Sequence, residues 1–399
     1  MANVAILGYG VVGSGVAEVL TENREGIARR SGGPIGLSYI LVRRDFPDSP
    51  FRDKMVRDFS VIENDPGVDI VVEVMGGVGA AKDYTERALR AGKSVVTANK
   101  ELVAEHGCEL LELARANGVS YLFEASVGGG IPIIRPLSQC LAANEIEAIS
   151  GILNGTTNYI LTRMSKGGLS FADALKEAQE KGYAEADPTA DIQGIDVCRK
   201  ICILASLAFG RQVYPRQVAT QGITEVTLFD QRWAEAAGFR IKLLGRALRR
   251  EDGRLTVYVA PHLIPASEPL AGVEDVFNAI TVRGNAVGEV MFYGQGAGKR
   301  PTASAVVADV SDIVRRGKSA RPAVQWGEGA EDLVVSADGL ESRWYVRLAD
   351  EDACLPEGAV TVEDAPEGGS AFLMPAMSAE DLKAALGGRA AGLVLRVLD

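Results

Sequence analysis

An apolar, strand-like run over residues 3–7 leads directly into Gly8-Tyr9-Gly10-Val11-Val12-Gly13, and an apolar pattern of helical period begins near Ser14. Strand, glycine turn and helix in this order constrain the N-terminal third more than any other feature. Glycine at 8 permits a tight turn, Gly10 lets backbone approach a pyrophosphate, and Gly13 allows a helix to pack closely on a strand. The helix N-terminus then presents unpaired N–H groups to an anion.

Strand signals recur at 37–42, 69–74, 94–97 and 120–123, with helical patterns near 80–91 and 101–117. Such alternation predicts an α/β chain whose N-terminal part is a Rossmann-type, doubly wound parallel sheet. The strand after the first helix ends in Arg43-Arg44-Asp45. An acidic residue there suits the ribose hydroxyls of NAD, and an arginine such as Arg43 suits the 2′-phosphate of NADP. Both types are present, so NAD and NADP stay open.

Beyond residue 137 the pattern changes to a strand at 146–153, helices at 156–166, 171–181 and 192–209, and paired strands at 241–249 with 254–260 and 279–283 with 287–293. This reads as a second, α+β unit, to which the resemblance described below assigns substrate binding and dimerisation. A helix over 302–316 is expected to return to the first unit, and 319–329 reads as a linker. The expected division is 1–136 plus 299–318, then 137–298, then a C-terminal region 330–399.

Composition narrows the partners. A net charge of −11 on 399 residues gives no general attraction for phosphate backbones, which argues against nucleic acid. No apolar run reaches the roughly 18 residues that cross a bilayer, and the N-terminus lacks a basic region with a cleavage site. A cytoplasmic protein without a membrane partner is expected. Five cysteines without metal-ligand spacing read as reduced thiols.

Four carboxylates and a lysine fall within 16 residues: Glu185, Asp187, Asp191, Asp196 and Lys200. Asp196 and Lys200 share one helix face at i, i+4. Asp191 is nine residues from Lys200, which is half a revolution on a continuous helix, so the two can meet only if the helix is irregular near Pro188 and Gly194.

The run from Ala178 to Lys200 carries Gly182, Asp187-Pro188, Asp191, Gly194, Asp196 and Lys200 at the fixed positions of a long signature, and it resembles homoserine dehydrogenases. Thr97-Ala98-Asn99-Lys100, Glu124 to Pro132, Asn154 to Ile160 and Gly296-Ala297-Gly298 extend the resemblance, in order, to about residue 320. The resemblance implies NAD(P)-dependent, reversible conversion of L-aspartate 4-semialdehyde to L-homoserine, in the biosynthesis of threonine, methionine and isoleucine. By motif it implies Lys200 and Lys100 beside the reacting oxygen, with Asp196 ordering them. Glu185, Asp191, Thr156 and Tyr183 would line the substrate pocket. Thr97, Lys100 and Gly298 would approach the dinucleotide with Gly8, Gly10, Val11, Val12 and Gly13. It also implies a sodium ion held by Glu124 and the backbone oxygens of Val127, Gly129 and Ile131, and a homodimer.

Chemically a lysine suits the reductive direction, because an ammonium both stabilises and protonates a developing alkoxide. In the oxidative direction Lys200 must be neutral. Carboxylates push its pKa up, whereas burial and Lys100 push it down. Other readings are a two-domain sugar or inositol dehydrogenase and a non-catalytic NAD(P)-sensing regulator; the 178–200 signature and the retained Lys100, Asp196 and Lys200 oppose them. Over 330–399 the resemblance thins, and the strand near 344–348, helix near 378–386 and strand near 392–397 read as a short ACT-like tail.

Overall fold

The computed structural model describes residues 1–317, 324–350 and 354–398. In the first part, β1 (Ala2–Leu7), α1 (Val11–Glu22), α2 (Arg24–Ser31), β2 (Ile35–Leu41), β3 (Met55–Val56), α3 (Phe59–Asn64), β4 (Ile70–Glu73), α4 (Gly79–Arg90), β5 (Ser94–Thr97), α5 (Lys100–Ala116) and β6 (Tyr121–Leu122) alternate. Their strands form a parallel sheet in the order β3-β2-β1-β4-β5-β6. Val4 to Leu7 of β1 and all of β4 and β5 are buried, as central strands covered by helices on both faces must be. The order reverses between β1 and β4, which opens a crevice at their C-terminal ends.

Gly8 adopts φ +102°, and a Cβ on Gly13 would lie 2.1 Å from the Gly8 carbonyl oxygen. Only glycine lets α1 start that close to the turn.

A second sheet takes its strands from the rest of the chain. The elements are β7 (Ile146–Ile152), α6 (Gly155–Gly167), α7 (Phe171–Glu180), α8 (Thr189–Ile192), α9 (Ile195–Phe209), β8 (Ala219–Thr220), α10 (Leu228–Ala236), β9 (Phe239–Arg249), β10 (Leu255–Pro265), β11 (Phe277–Gly284) and β12 (Gly288–Gln295). After them come α11 (Lys299–Arg316), β13 (Ser342–Leu348), β14 (Ala371–Met377), α12 (Ala379–Leu386) and β15 (Ala391–Val397). The sheet runs β12-β11-β7-β9-β10-β15-β13-β14, with β8 also on β10.

The helix expected over 192–209 is α9, which begins at Ile195, and the short α8 precedes it, because Gly194 takes φ +80° between them. α11 returns to α1: a Cβ on Gly15 would touch the Lys299 oxygen at 2.8 Å, and Lys299 pairs with Glu18 at 2.6 Å. Residues 319–323 of the expected linker, and residue 318 before it, lie outside the described residues. Its second half is packed: Trp326 donates to the Gln212 Oε1 at 2.7 Å, and Gln212 also bonds Cys108 N–H and Ala104 C=O of α5. A Cβ on Gly107 would sit 2.5 Å from the Trp326 ring.

The C-terminal region is a β-β-α-β unit, and it continues the second sheet through β15 on β10. An ACT-like tail is not apparent beyond that. Among the described residues there is no helix between β13 and β14. No helix among the described residues is long and apolar enough to cross a membrane.

Candidate active site

Two positions meet at the site from opposite sheets. Asn99 caps α5 by accepting from Leu102 N–H at 3.1 Å, so Lys100 opens that helix at the end of β5. Across the gap α9 begins after Gly194, with Asp196 in its first turn and Lys200 one turn on. The Lys100 ammonium pairs with Asp196 Oδ1, and the Lys200 ammonium lies 2.8 Å from Asp196 Oδ2. Asp196 is 3% exposed and Lys200 7%, whereas the Lys100 side chain is 40% exposed. One buried carboxylate therefore holds two ammonium groups.

Asp191 joins them because of the break at Gly194. The Asn154 amide donates to Asp191 Oδ1 at 2.7 Å and to Asp196 Oδ2 at 2.9 Å. Its oxygen meanwhile caps α6 by accepting from Thr157 N–H at 2.8 Å. A Cβ on Gly194 would crowd Thr220 and Val259 at 3.1 and 3.2 Å, which fixes the bend against β8 and β10. Lys200 also donates to the Leu153 oxygen at 2.7 Å.

Burial pushes the Asp191 carboxyl up, against the Asn154 hydrogen bond. Burial also pushes Asp196 up, but Lys200 and Lys100 outweigh it and hold that carboxyl well below the usual range. For Lys200 burial wins with the help of Lys100, and the pKa falls despite Asp196 and Asp191. The competition left open by the sequence thus resolves toward a lowered lysine pKa.

Thr156 donates its hydroxyl to the Tyr183 oxygen at 2.7 Å, which ties the loop 181–188 to α6. Tyr183 packs edge-on against Tyr159 and stays 44% exposed. Glu185 lies exposed on the same loop.

Three of the cofactor candidates, Gly8, Gly10 and Arg43, line a cavity of about 430 Å³ at the switch point together with residues 74–78, whereas Val11, Val12, Gly13, Thr97, Lys100 and Gly298 are not among its lining residues. A Cβ on Gly10 would meet nothing within 4 Å, and no side chain caps α1. The first N–H groups of α1 are therefore free for an anion, as a pyrophosphate cradle requires. Val11 is 67% exposed at that helix start and Val12 is half-buried beside it. Gly13 closes on Gly8, and Gly298 stands at the start of α11 with φ +122°.

Thr97 is fully buried with its hydroxyl donated to Glu73 Oε2 at 2.6 Å, so only its backbone is left to approach a ligand. Glu73 in turn accepts from Met75 N–H at 2.7 Å and shapes the 74–77 loop. At the far end of the cavity Arg44 stacks on Phe46, and Arg57 holds Asp45 at 2.6 Å and the Arg43 oxygen at 2.8 Å.

Glu124 is buried, and its carboxylate accepts from the N–H groups of Ile133, Ile134 and Arg135 at 2.7, 2.8 and 2.9 Å. Its own N–H donates to Asp309 of α11 at 2.8 Å. Val127, Gly129 and Ile131 are buried, and among the described residues their carbonyls accept no backbone or side-chain hydrogen bond, while the Gly128 carbonyl accepts from Ile131 N–H.

His106 binds Lys82 at 3.2 Å on α5, and His262 is buried against Tyr258. Cys108, Cys198 and Cys202 are buried free thiols, and Cys140 and Cys354 are exposed ones. Sequence reasoning missed Arg57, Asn154 as a bridge, and the Leu153 carbonyl. The Asn154-Gly155-Thr156 run carried a signal for the second, since an asparagine before a helix is a cap with a spare amide.

Comparison with known proteins shows a family. Residues 8–124 match the family model described as homoserine dehydrogenase, NAD binding domain, and residues 132–311 match that described as homoserine dehydrogenase. A homoserine dehydrogenase of Pseudomonas aeruginosa is 43% identical over 356 residues, 88% of this chain and 82% of the relative. The crystal structure of a homoserine dehydrogenase from Thiobacillus denitrificans superposes with a TM-score of 0.89 at 37% identity, covering 100% of this chain and 98% of the other. A hyperthermophilic archaeal homoserine dehydrogenase, solved in complex with NADPH, gives 0.65 at 30% identity over 77% of this chain and 96% of its own.

Proposed function

Since the chain belongs to the homoserine dehydrogenase family, we propose that Lys200 is its proton donor and acceptor, with Lys100 beside it and Asp196 ordering both. The observation that carries this reading is the arrangement of Lys100 and the buried Lys200 about the buried Asp196 carboxylate, between α5 and α9. Of the three protons on the Lys200 ammonium, the Leu153 oxygen and Asp196 engage two, which leaves one for a substrate oxygen.

When bound, the dinucleotide supplies the hydride. As the aldehyde carbon of L-aspartate 4-semialdehyde becomes tetrahedral, negative charge grows on its oxygen. Lys200 donates a proton there and Lys100 adds electrostatic stabilisation, which gives L-homoserine. In reverse, neutral Lys200 accepts the hydroxyl proton, and its lowered pKa favours that state. Asp191, Glu185, Thr156 and Tyr183 form the wall that receives the amino-acid end, with the carboxylates facing its ammonium.

Gly8, Gly10, Val11, Val12 and Gly13 hold the pyrophosphate, with Thr97, Lys100 and Gly298 around the nicotinamide end. NADPH is the preferred cofactor in this reading. Asp45 is already neutralised by Arg57, and Arg43, Arg44 and Arg57 all line the cavity, which suits a 2′-phosphate. Assaying aspartate-semialdehyde-dependent oxidation of both cofactors tests it: kcat/KM is expected to favour NADPH at least about tenfold, and equal or reversed values would overturn the preference.

The Val127, Gly129 and Ile131 carbonyls fit a hard monovalent cation, and the Glu124 carboxylate, with three of its roughly four lone-pair sites occupied, has room for one more contact. A sodium ion there would brace the 124–135 segment beside α11. A thermal midpoint higher in NaCl than in choline chloride of equal ionic strength is expected; identical midpoints would remove the ion.

The units proposed are 1–136 with 299–318, 137–298, and 330–399. The chain is proposed to act as a homodimer through the second sheet. β10 is already covered within one chain, so the apolar contribution comes from Val287, Met291 and Tyr293 at and before β12. Sedimentation at twice the 42.2 kDa chain mass is expected, and a monomer would refute it.

A further inference from the structure

Two ion pairs cross side by side from α5 to α9. Lys100 reaches Asp196, and the next residue, Glu101, accepts from Arg199 at 2.7 Å. Their polarities are opposite: the cation belongs to α5 in the first pair and to α9 in the second. Asp196, Arg199 and Lys200 stand at i, i+3 and i+4, so they share one side of α9. Sliding α5 along α9 would bring Lys100 toward Arg199 or Glu101 toward Asp196, and either approach joins like charges. The Glu101 and Arg199 side chains are 33% and 25% exposed, more sheltered than an outer pair such as Arg216–Glu331 at 58% and 81%.

We propose that Glu101 and Arg199 are positioning residues, which lock the first turn of α5 against α9 and so place the Lys100 ammonium beside Asp196 and Lys200. The inference rests on the roles given above to Lys200 and Lys100. It adds that the register between the helices, and not the lysines alone, sets the electrostatics of proton transfer.

The groups facing Lys200 are Asp196 on its own helix, Lys100 on α5 and Asp191 on α8. If the lock opens and Lys100 withdraws, Lys200 loses its neighbouring cation but keeps both carboxylates. It then holds its proton more tightly. Homoserine oxidation, which needs neutral Lys200, moves to higher pH.

Kinetics of Glu101→Gln, Arg199→Met and the conservative Glu101→Asp test this. The first two are expected to lower kcat about tenfold, to leave KM for NADPH within about twofold, and to shift the pH profile of homoserine oxidation to the alkaline side. Glu101→Asp should keep most of the turnover and the original profile. Unchanged kcat in Glu101→Gln and Arg199→Met would overturn the proposal, as would a fall in kcat with an unmoved profile, the mark of general loosening. Measured alongside, an active Lys200→Ala enzyme would instead defeat the reading on which the lock rests. An inactive one combined with an unmoved Glu101→Gln profile defeats the lock alone.

Discussion

Replacing Asn154 by alanine removes four hydrogen bonds at once: the two that its oxygen accepts from the Thr157 N–H and hydroxyl at the α6 cap, and the two donations to Asp191 and Asp196. A lost cap costs roughly 0.5–2 kcal/mol, and a hydrogen bond to a charged group contributes roughly 1.5–3 kcal/mol. Because the bonds share one side chain they do not add fully, and about 3–5 kcal/mol at neutral pH is a reasonable sum. For a unit of this size that lowers the thermal midpoint by roughly 6–20 °C. The loss should depend on pH in a definite direction. The Asp191 pKa is raised in the folded state by burial, so its contribution to stability is present below the unfolded value and is lost as pH rises through the folded one. Without the amide its folded pKa rises further, so the variant suffers more above that range than below it. Calorimetry at pH 7.5 and near pH 4 should show a larger wild-type-to-variant gap at pH 7.5, with kcat also reduced because Asp191 and Asp196 are no longer held together. A gap below about 1 kcal/mol at pH 7.5, or one that does not narrow on acidification, would refute the bridging role.

Two further substitutions probe other parts of the molecule. Arg57→Ala frees Asp45 and removes one guanidinium from the cavity, so KM for NADPH should rise about tenfold with little change for NADH, as paired titrations would show. His262 is fully buried, and burial pushes its pKa from 6.5 down to about 3. Its neutral form is favoured in the folded state, so stability is intact above the unfolded value and lost as pH falls toward the folded one. Unfolding measured at pH 5 should find His262→Gln recovering about 2 kcal/mol of the acid loss, and parallel acid curves for the two proteins would refute this.

What could be read from the sequence was local. Gly8, Gly10 and Gly13 announce their turn because strand, turn and helix are contiguous, and the structure places a Cβ clash at Gly13 where close packing is expected. The irregularity demanded by the Asp191 to Lys200 spacing appears as the Gly194 bend. What could not be read depends on distant pairs. Asn154 finds carboxylates 37 and 42 residues away, Arg199 finds Glu101 98 residues away, and no periodicity reports such contacts. Whether an apolar strand is central or exposed is not legible either: β10 is buried between β9 and its other neighbours, whereas the edge strand β12 leaves Met291 and Tyr293 exposed. The strand β14 is not legible because Pro375 interrupts it, which is tolerated at a sheet edge and at a shift of register, and β14 has both.

Lys200 carries the chemistry proposed here, and Lys200→Ala is the most direct test of it. Turnover of aspartate semialdehyde with NADPH should fall about a thousandfold, while the NADPH dissociation constant, read by cofactor fluorescence, stays within about twofold. Turnover close to that of the unaltered enzyme would show that the proton comes from elsewhere.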